Sequence, residues 1–348
     1  MEIYFIIFIS LFAFSVFDRF EPRDYSRFLF KFSLIFLMFF VGIRYNVGND
    51  IDTYYQNYLG INTDGSTDSK ELIYILFNVL FNFEFVIFLF SLLSFYFLYY
   101  GIKYFNYEYA NTVLFIYFSI FLITFNIHII RQGLAIAIVL LGYKYLFEKK
   151  YYKYILYVVL AAGFHISVLI VLPISYFFKY EIKKKVQLIV LAISIVLSLN
   201  IGLLTNLYYY IASNTPFLNK YLLVYRREET TEYGFSLGML FDIILLLFLM
   251  KISDKFTEKE KFLYRIFYIS VILSLLLVMD PAALRLNYYF RVVLILLFPL
   301  LLQHFKIRLI TYLAIFVACF LYMYKGFTTV GEYGRGDRNL YYRTIIGK

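Results

Sequence analysis

Tryptophan is missing from the 348 residues, cysteine occurs once, proline five times, and only 16% of the side chains are charged. The lone Cys319 excludes an intrachain disulfide and leaves the redox compartment undetermined. No Pro- or Ser-rich linker divides the chain and no internal repeat is evident, so it reads as one domain over 1–348. A soluble domain of this size carries about 25% charged residues. The shortage here excludes a soluble fold of ordinary size. There is also no P-loop, no Cys/His zinc spacing, no His-Glu-x-x-His and no Gly-x-Ser-x-Gly. Nucleotide use, zinc hydrolysis and serine hydrolysis therefore have no support, and no cofactor or metal is expected.

What is present is apolar surface. Hydrophobic residues make up 62% of the chain, and the mean hydropathy is +0.74. Phe (42) and Tyr (38) dominate. Ile, Lys and Asn are favoured with them, the pattern of an AT-rich coding sequence, which warns against reading each Tyr as a recognition residue. Apolar runs of about 15–20 residues recur from end to end. Backbone groups in lipid must be hydrogen-bonded internally, so such runs must be helices. The expected fold is an all-α, polytopic helical bundle in a membrane. The formal charge of +10 does not call for nucleic acid, because Lys and Arg gather in short loops as the positive-inside rule requires.

Ten runs read as full transmembrane helices: 3–17, 28–43, 84–100, 111–127, 131–147, 186–204, 235–250, 262–279, 288–304 and 309–324. The first lacks a basic n-region and a cleavage site and reads as a retained span. Two further segments, 72–82 and 154–178, read as short or re-entrant. The basic loops 18–31, 148–153, 179–185, 251–265 and 306–308 read as cytoplasmic. Loops 148–153 and 179–185 then share a side, so 154–178 must go in and return, breaking near Gly163-Phe164-His165. A single long helix through 154–178 would invert everything downstream. The preferred topology puts both termini outside, with external segments 44–71, 205–234 and 325–348.

A charge at membrane depth costs at least ~2.5–3.5 kcal/mol, which makes it a functional candidate by default. Four places qualify. Arg44 follows the second span, with Gly48 permitting a tight turn and Asp50 and Asp52 close behind. An arginine fork grips phosphate in a bidentate manner, and a carboxylate beside it can take a proton from a sugar hydroxyl. Arg131 opens the fifth full-length run at an outer helix N-terminus, against both the helix dipole and the positive-inside tendency. A bound anion compensates it, or an acid such as Asp50 or Glu71. His165 sits at the expected break, as a base, as a donor to phosphate, or as a satisfied core residue. Arg285 and Arg291 lie near another outer helix N-terminus, where Arg285 in particular suits snorkelling to lipid phosphate. Arg44, Arg131, Arg285 and Arg291 face one compartment in this topology, which suggests a polyanionic ligand such as lipid pyrophosphate.

At these residues the chain resembles the Wzy-type O-antigen and exopolysaccharide polymerases, in their EpsG-like branch. The resemblance rests on Gly42-Ile43-Arg44-Tyr45-Asn46-Val47-Gly48-Asn49-Asp50-Ile51-Asp52-Thr53-Tyr54, Glu71, Arg131-Gln132, Ala162 to Ser167 with Pro173, Arg285 to Pro299, and Asn339 to Arg343, although a proline often seen in that tail is missing. It implies a GT-C-like polymerase or ligase architecture and an inverting, metal-independent glycosyltransferase of the bacterial inner membrane, with its site facing the periplasm or cell exterior. It would move the growing glycan from undecaprenyl pyrophosphate to the non-reducing end of a lipid-linked repeat unit. Partners would be the lipid-linked donor and acceptor, membrane lipids and a chain-length regulator, with no nucleic acid. In that scheme Arg44, Arg131, Arg285 and Arg291 bind pyrophosphate. Asp50, His165 or Asp52 is the base, and Glu71 orients an arginine or acts as base itself. An O-antigen ligase uses the same donor, but 205–234 is only moderate in length for its external loop. A flippase would show internal repeats and charges spread through the depth of the bundle.

Overall fold

The computed structural model describes residues 2–19, 23–63, 65, 71–178, 181–214, 235–278, 281–299, 302, 308–328 and 342–347. Among them every regular element is a helix. They divide into two compact units, Met1–Leu172 with Leu294–Lys348, and Pro173–Val293.

The first unit begins with α1 (Glu2–Val16), α2 (Arg23–Gly42), α3 (Ile51–Thr63), α4 (Leu72–Leu80) and α5 (Phe83–Phe105). Helix α6 (Ala110–Tyr117) runs on as a π-helix over Phe118–His128, followed by α7 (Ile130–Phe147) and α8 (Tyr151–Ala162). Helix α2 has 20 residues, about 30 Å at 1.5 Å per residue, which matches a hydrocarbon core. Helix α5 is capped by Asn82, whose Oδ1 accepts the Phe85 N–H at 2.9 Å, and carries Lys103 in its last turn. Both features suit the helix dipole.

Helix α7 is the centre of this unit. Almost all of it is buried, from Ile130 and Gln132 to Leu146, and it packs on α5, α8 and the π-helix. By contrast α2 exposes Phe28, Phe32, Ile35, Phe36 and Phe39, as a lipid-facing side must. Lipid is as apolar as these side chains, so burial alone does not drive helices together in a membrane. Polar contacts contribute specificity: Ser91 Oγ on α5 donates to Met38 O on α2 at 2.8 Å. The Asp18 carboxylate accepts from Asn111 Nδ2 (2.7 Å), Thr112 N (2.8 Å) and Thr112 Oγ1 (2.8 Å), capping α6 from another segment. Cys319, in helix Arg308–Thr328 of the same unit, is free and buried.

In the second unit helices Lys184–Leu199, Ile201–Ser213, Leu237–Ile252 and Glu258–Leu276 are the long elements. Thr257 and Glu260 form a capping box on the last of these. Buried Gln187 accepts from Tyr264 Oη at 2.6 Å.

By length and composition, four helices can cross a membrane: Arg23–Gly42, Phe83–Phe105, Ala110–His128 and Ile130–Phe147. A fifth is added if Lys184–Leu199 and Ile201–Leu207, bent by 98°, form one span. The molecule is thus a helical membrane protein, with fewer full-length spans among the described residues than the ten expected. Several expected spans are short or interrupted. Helix α1 has 15 residues. The run at 288–304 is divided into Tyr288–Arg291 and Leu294–Leu297. Pro299 lacks an N–H and its ring clashes with the carbonyl four residues back, so a helix cannot pass through it undisturbed. Segment 72–82 holds only the nine-residue α4. Segment 154–178 breaks at 163–165, between α8 and a 3-10 turn at Ile166–Val171, and is not one long helix. Residues 215–234 and 329–341, within two of the expected external segments, lie outside the described residues.

Candidate functional site

The site is assembled around Glu71, which precedes α4 and is 7% exposed. Its Oε2 lies 3.4 Å from Arg131 Nη1 in the first turn of α7. Its Oε1 lies 3.6 Å from His165 Nδ1 and 3.4 Å from the backbone N of Ile166. At 3.6 Å the contact with His165 is longer than a formed hydrogen bond. The helix ends grip each other: the Ile73 and Tyr74 N–H groups donate to Gly163 O at 3.0 and 3.1 Å. Those are two of the donors that the start of α4 leaves unpaired, while Glu71 reaches across to the start of the 3-10 turn. Burial raises the Glu71 carboxyl, but His165, the Arg131 charge and the Ile166 N–H outweigh it and hold the group at about 2. Glu71 is therefore held as an anion between Arg131 and His165.

Arg131 is also enclosed by aromatic rings. Its guanidinium carbon lies 4.6 Å from the ring centre of Tyr74 and 5.7 Å from that of Tyr54, positions in which the ring quadrupole attracts a cation. Tyr54 belongs to α3, whose start is set by Asp50: the Tyr54 N–H donates to Asp50 O at 3.0 Å. Asp50 is half-buried at the head of α3, and Asp52 is exposed in its first turn.

Arg44 is 4% exposed. Nη1 donates to Val41 O at 2.7 Å and Nε to Val47 O at 3.3 Å, while Nη2 has no hydrogen-bond partner. Burial pulls the guanidinium down to about 10, against the opposing influence of Tyr4, Tyr342 and Tyr54, so it stays charged at neutral pH. Tyr54 thus stands between the two arginines, with its ring beside Arg131 and its phenol within electrostatic reach of Arg44. The chain's end closes on the same place. Arg44 and Thr344 form an antiparallel bridge, Tyr45 N donates to Arg343 O (2.8 Å) and Ile345 N to Ile43 O (2.9 Å). Tyr342 stacks on Phe40 at 4.2 Å and donates its hydroxyl to Phe40 O.

The structure therefore brings Glu71, Arg131 and His165 into contact and links Arg44 and Asp50 to them through Tyr54. Arg285 and Arg291 belong to the second unit. Arg285 is exposed. Arg291 lies at the end of Tyr288–Arg291, after a break at Asn287. Its Nε and Nη2 meet Asp242 Oδ2 and Oδ1 at 2.7 and 3.1 Å, a two-pronged pair with a carboxylate that is 3% exposed. A charge so compensated is occupied structurally. Asp242 carries a signal of its own, as one acid within the apolar run 235–250. Tyr54 and Tyr74 have none in so aromatic a sequence, whereas His128, whose Nδ1 accepts the Asn49 N–H at 3.1 Å, is one of only three histidines and follows directly on the apolar run 111–127. Among the described residues no three His, Cys, Asp or Glu side chains gather as metal ligands would.

Helices long and apolar enough to cross a membrane, with a shorter apolar segment interrupted beside a half-buried Glu–Arg–His cluster, define a polytopic membrane protein. The chain belongs to the EpsG family, which it matches over residues 27–343, and is accordingly a polysaccharide-polymerase-type membrane protein. No curated protein and no solved structure matches it.

Proposed function

We propose that the protein polymerises a bacterial surface polysaccharide. It moves the growing glycan from undecaprenyl pyrophosphate to the non-reducing end of a lipid-linked repeat unit, with inversion, at the extracytoplasmic face of the inner membrane. The observation that carries this reading is Glu71 held between Arg131 and His165 at a break in an apolar segment. Broken helices at membrane depth are tolerated where they line a cavity, and this one joins a cation to a potential base.

Closing the 3.6 Å gap lets Nδ1–H of His165 donate to Glu71, which leaves Nε2 to take the proton of the acceptor hydroxyl. The hydroxyl oxygen attacks the anomeric carbon opposite the pyrophosphate, and the old C–O bond breaks with its electron pair leaving on the pyrophosphate oxygen. Arg131, fixed by Glu71 and Tyr74, and Arg44 through Nη2 stabilise that developing charge. A carboxyl held at about 2 is too weak a base for this step, which favours His165 over Glu71. Asp50 is the alternative base, and exposed Asp52 ranks below it.

The test uses protein purified in detergent and its cognate undecaprenyl-pyrophosphate repeat unit, without nucleotide sugar or added metal. A ladder of products is expected from the wild type. It should vanish with Arg131→Ala and fall at least about tenfold with Arg131→Lys, which keeps the charge but loses the planar fork. Folded protein that binds the substrate and gives no ladder would refute the reading and point to a ligase or a flippase.

A further inference from the structure

His128 ends the π-helix three residues before Arg131. Its Nδ1 accepts the backbone N–H of Asn49 at 3.1 Å. With Nδ1 as acceptor, the neutral imidazole carries its proton on Nε2. Two glycines enforce the same approach of backbones. Gly48 sits at φ +122°, where side chains are strained, and a Cβ there would collide with the Ile127 carbonyl oxygen. Gly133, in the first turn of α7, is so close to the Phe125 carbonyl that a Cβ would overlap its oxygen. The N–H of Ile129 donates to Thr124 O at 2.9 Å, and that of Gly133 to Ile129 O at 2.8 Å. The turn around Gly48, the end of the π-helix and the head of α7 therefore meet main chain to main chain. Long π-helical stretches are rare, and short ones are concentrated at functional sites.

The seated turn leads directly into α3. Asp50 follows Asn49 at the head of that helix, and Tyr54 one turn later lies against Arg131. The opposite end of the turn is held by Arg44, whose side chain bonds the carbonyls of Val41 and Val47. His128 is thus a side chain that fastens the far end of the 41–50 segment to the helix pair carrying Arg131.

We propose that His128 is a positioning residue. Its Nδ1 anchors the Asn49–Asp50 turn, and through α3 it sets Asp50 at the head of the helix and Tyr54 beside the Arg131 guanidinium. The proposal rests on the transferase reading given above. In this role His128 touches neither donor nor acceptor; it works through one main-chain N–H.

The test compares His128→Leu, which keeps bulk but removes the acceptor, with His128→Asn, whose Oδ1 falls near the position of Nδ1 and still accepts. Two quantities are read: kcat and KM for polymerisation of the lipid-linked repeat unit, and amide hydrogen exchange over residues 47–51 by mass spectrometry. In His128→Leu, exchange over 47–51 should quicken and kcat fall roughly 10- to 100-fold, the scale of an ångström-size misplacement, with KM changed less than about twofold. His128→Asn should return both quantities towards wild type, which a residue needed only for bulk would not produce. Unchanged exchange in His128→Leu overturns the proposal, as does a His128→Asn protein with restored exchange and no recovery of kcat. Should His128→Leu fail to fold, His128→Gln, whose acceptor lies one atom further out, takes its place. If the wild type makes no ladder, the transferase reading fails, while the exchange comparison still decides whether His128 holds the turn.

Discussion

Exchanging Glu71 for Gln keeps the shape of the side chain and removes its charge from a site where only 7% of the residue is exposed. The carboxyl is held at about 2 in the folded protein against an ordinary 4.5, with burial opposing and His165, Arg131 and Ile166 N–H prevailing. A displacement of that size corresponds to roughly 3 kcal/mol of folding stability. Because the folded value lies below the unfolded one, this contribution is complete above pH 4.5 and fades as the pH falls towards 2. Glutamine can still accept from Arg131 and from the Ile166 N–H, so the measured loss at neutral pH should be smaller, about 1–3 kcal/mol. The assay is thermal unfolding of wild type and Glu71→Gln in detergent, at steps from pH 7 to pH 3. The variant should melt lower at pH 7, with the difference shrinking as acid protonates the wild-type carboxyl. A difference that stays constant from pH 7 to pH 3, or a variant as stable as wild type at pH 7, would refute the assignment of Glu71 as the anion that organises this cluster.

Two further predictions concern other parts of the molecule. Asp242→Ala or Arg291→Ala should each destabilise the protein by about 3–5 kcal/mol, because each leaves a buried charge alone, whereas Asp242→Leu with Arg291→Met should recover most of that loss. Thermal unfolding of the three proteins tests this, and equal losses in singles and double would contradict it. Tyr342→Ala removes the stacking on Phe40 and the hydroxyl bond to its carbonyl, so the chain's end should part from Arg44 more often. Labelling of Arg44 by phenylglyoxal, followed by mass spectrometry, should then quicken several-fold over wild type; an unchanged rate would mean that the tail does not shield it.

Much about this protein is legible in its sequence, and for a physical reason. Lipid offers no hydrogen bonds, so long apolar runs must be helices, and the membrane class follows from the apolar runs alone. Charges are expensive at that depth, so Arg44, Arg131, His165, Arg285 and Arg291 stand out whatever their neighbours, as does the break at Gly163-Phe164-His165. An acid such as Glu71 is a natural candidate partner for Arg131 on charge alone. What a linear pattern does not hold is proximity across the chain. Tyr54 and Tyr74 look like any other Tyr among 38, and only folding puts both against Arg131. The pairing of Arg291 with Asp242 spans 49 residues, that of Asn49 with His128 spans 79, and Thr344 reaches Arg44 from the far end of the chain. Composition and local spacing decide what one residue costs in a membrane; which residue compensates it depends on tertiary contacts whose sequence separation leaves no periodic trace.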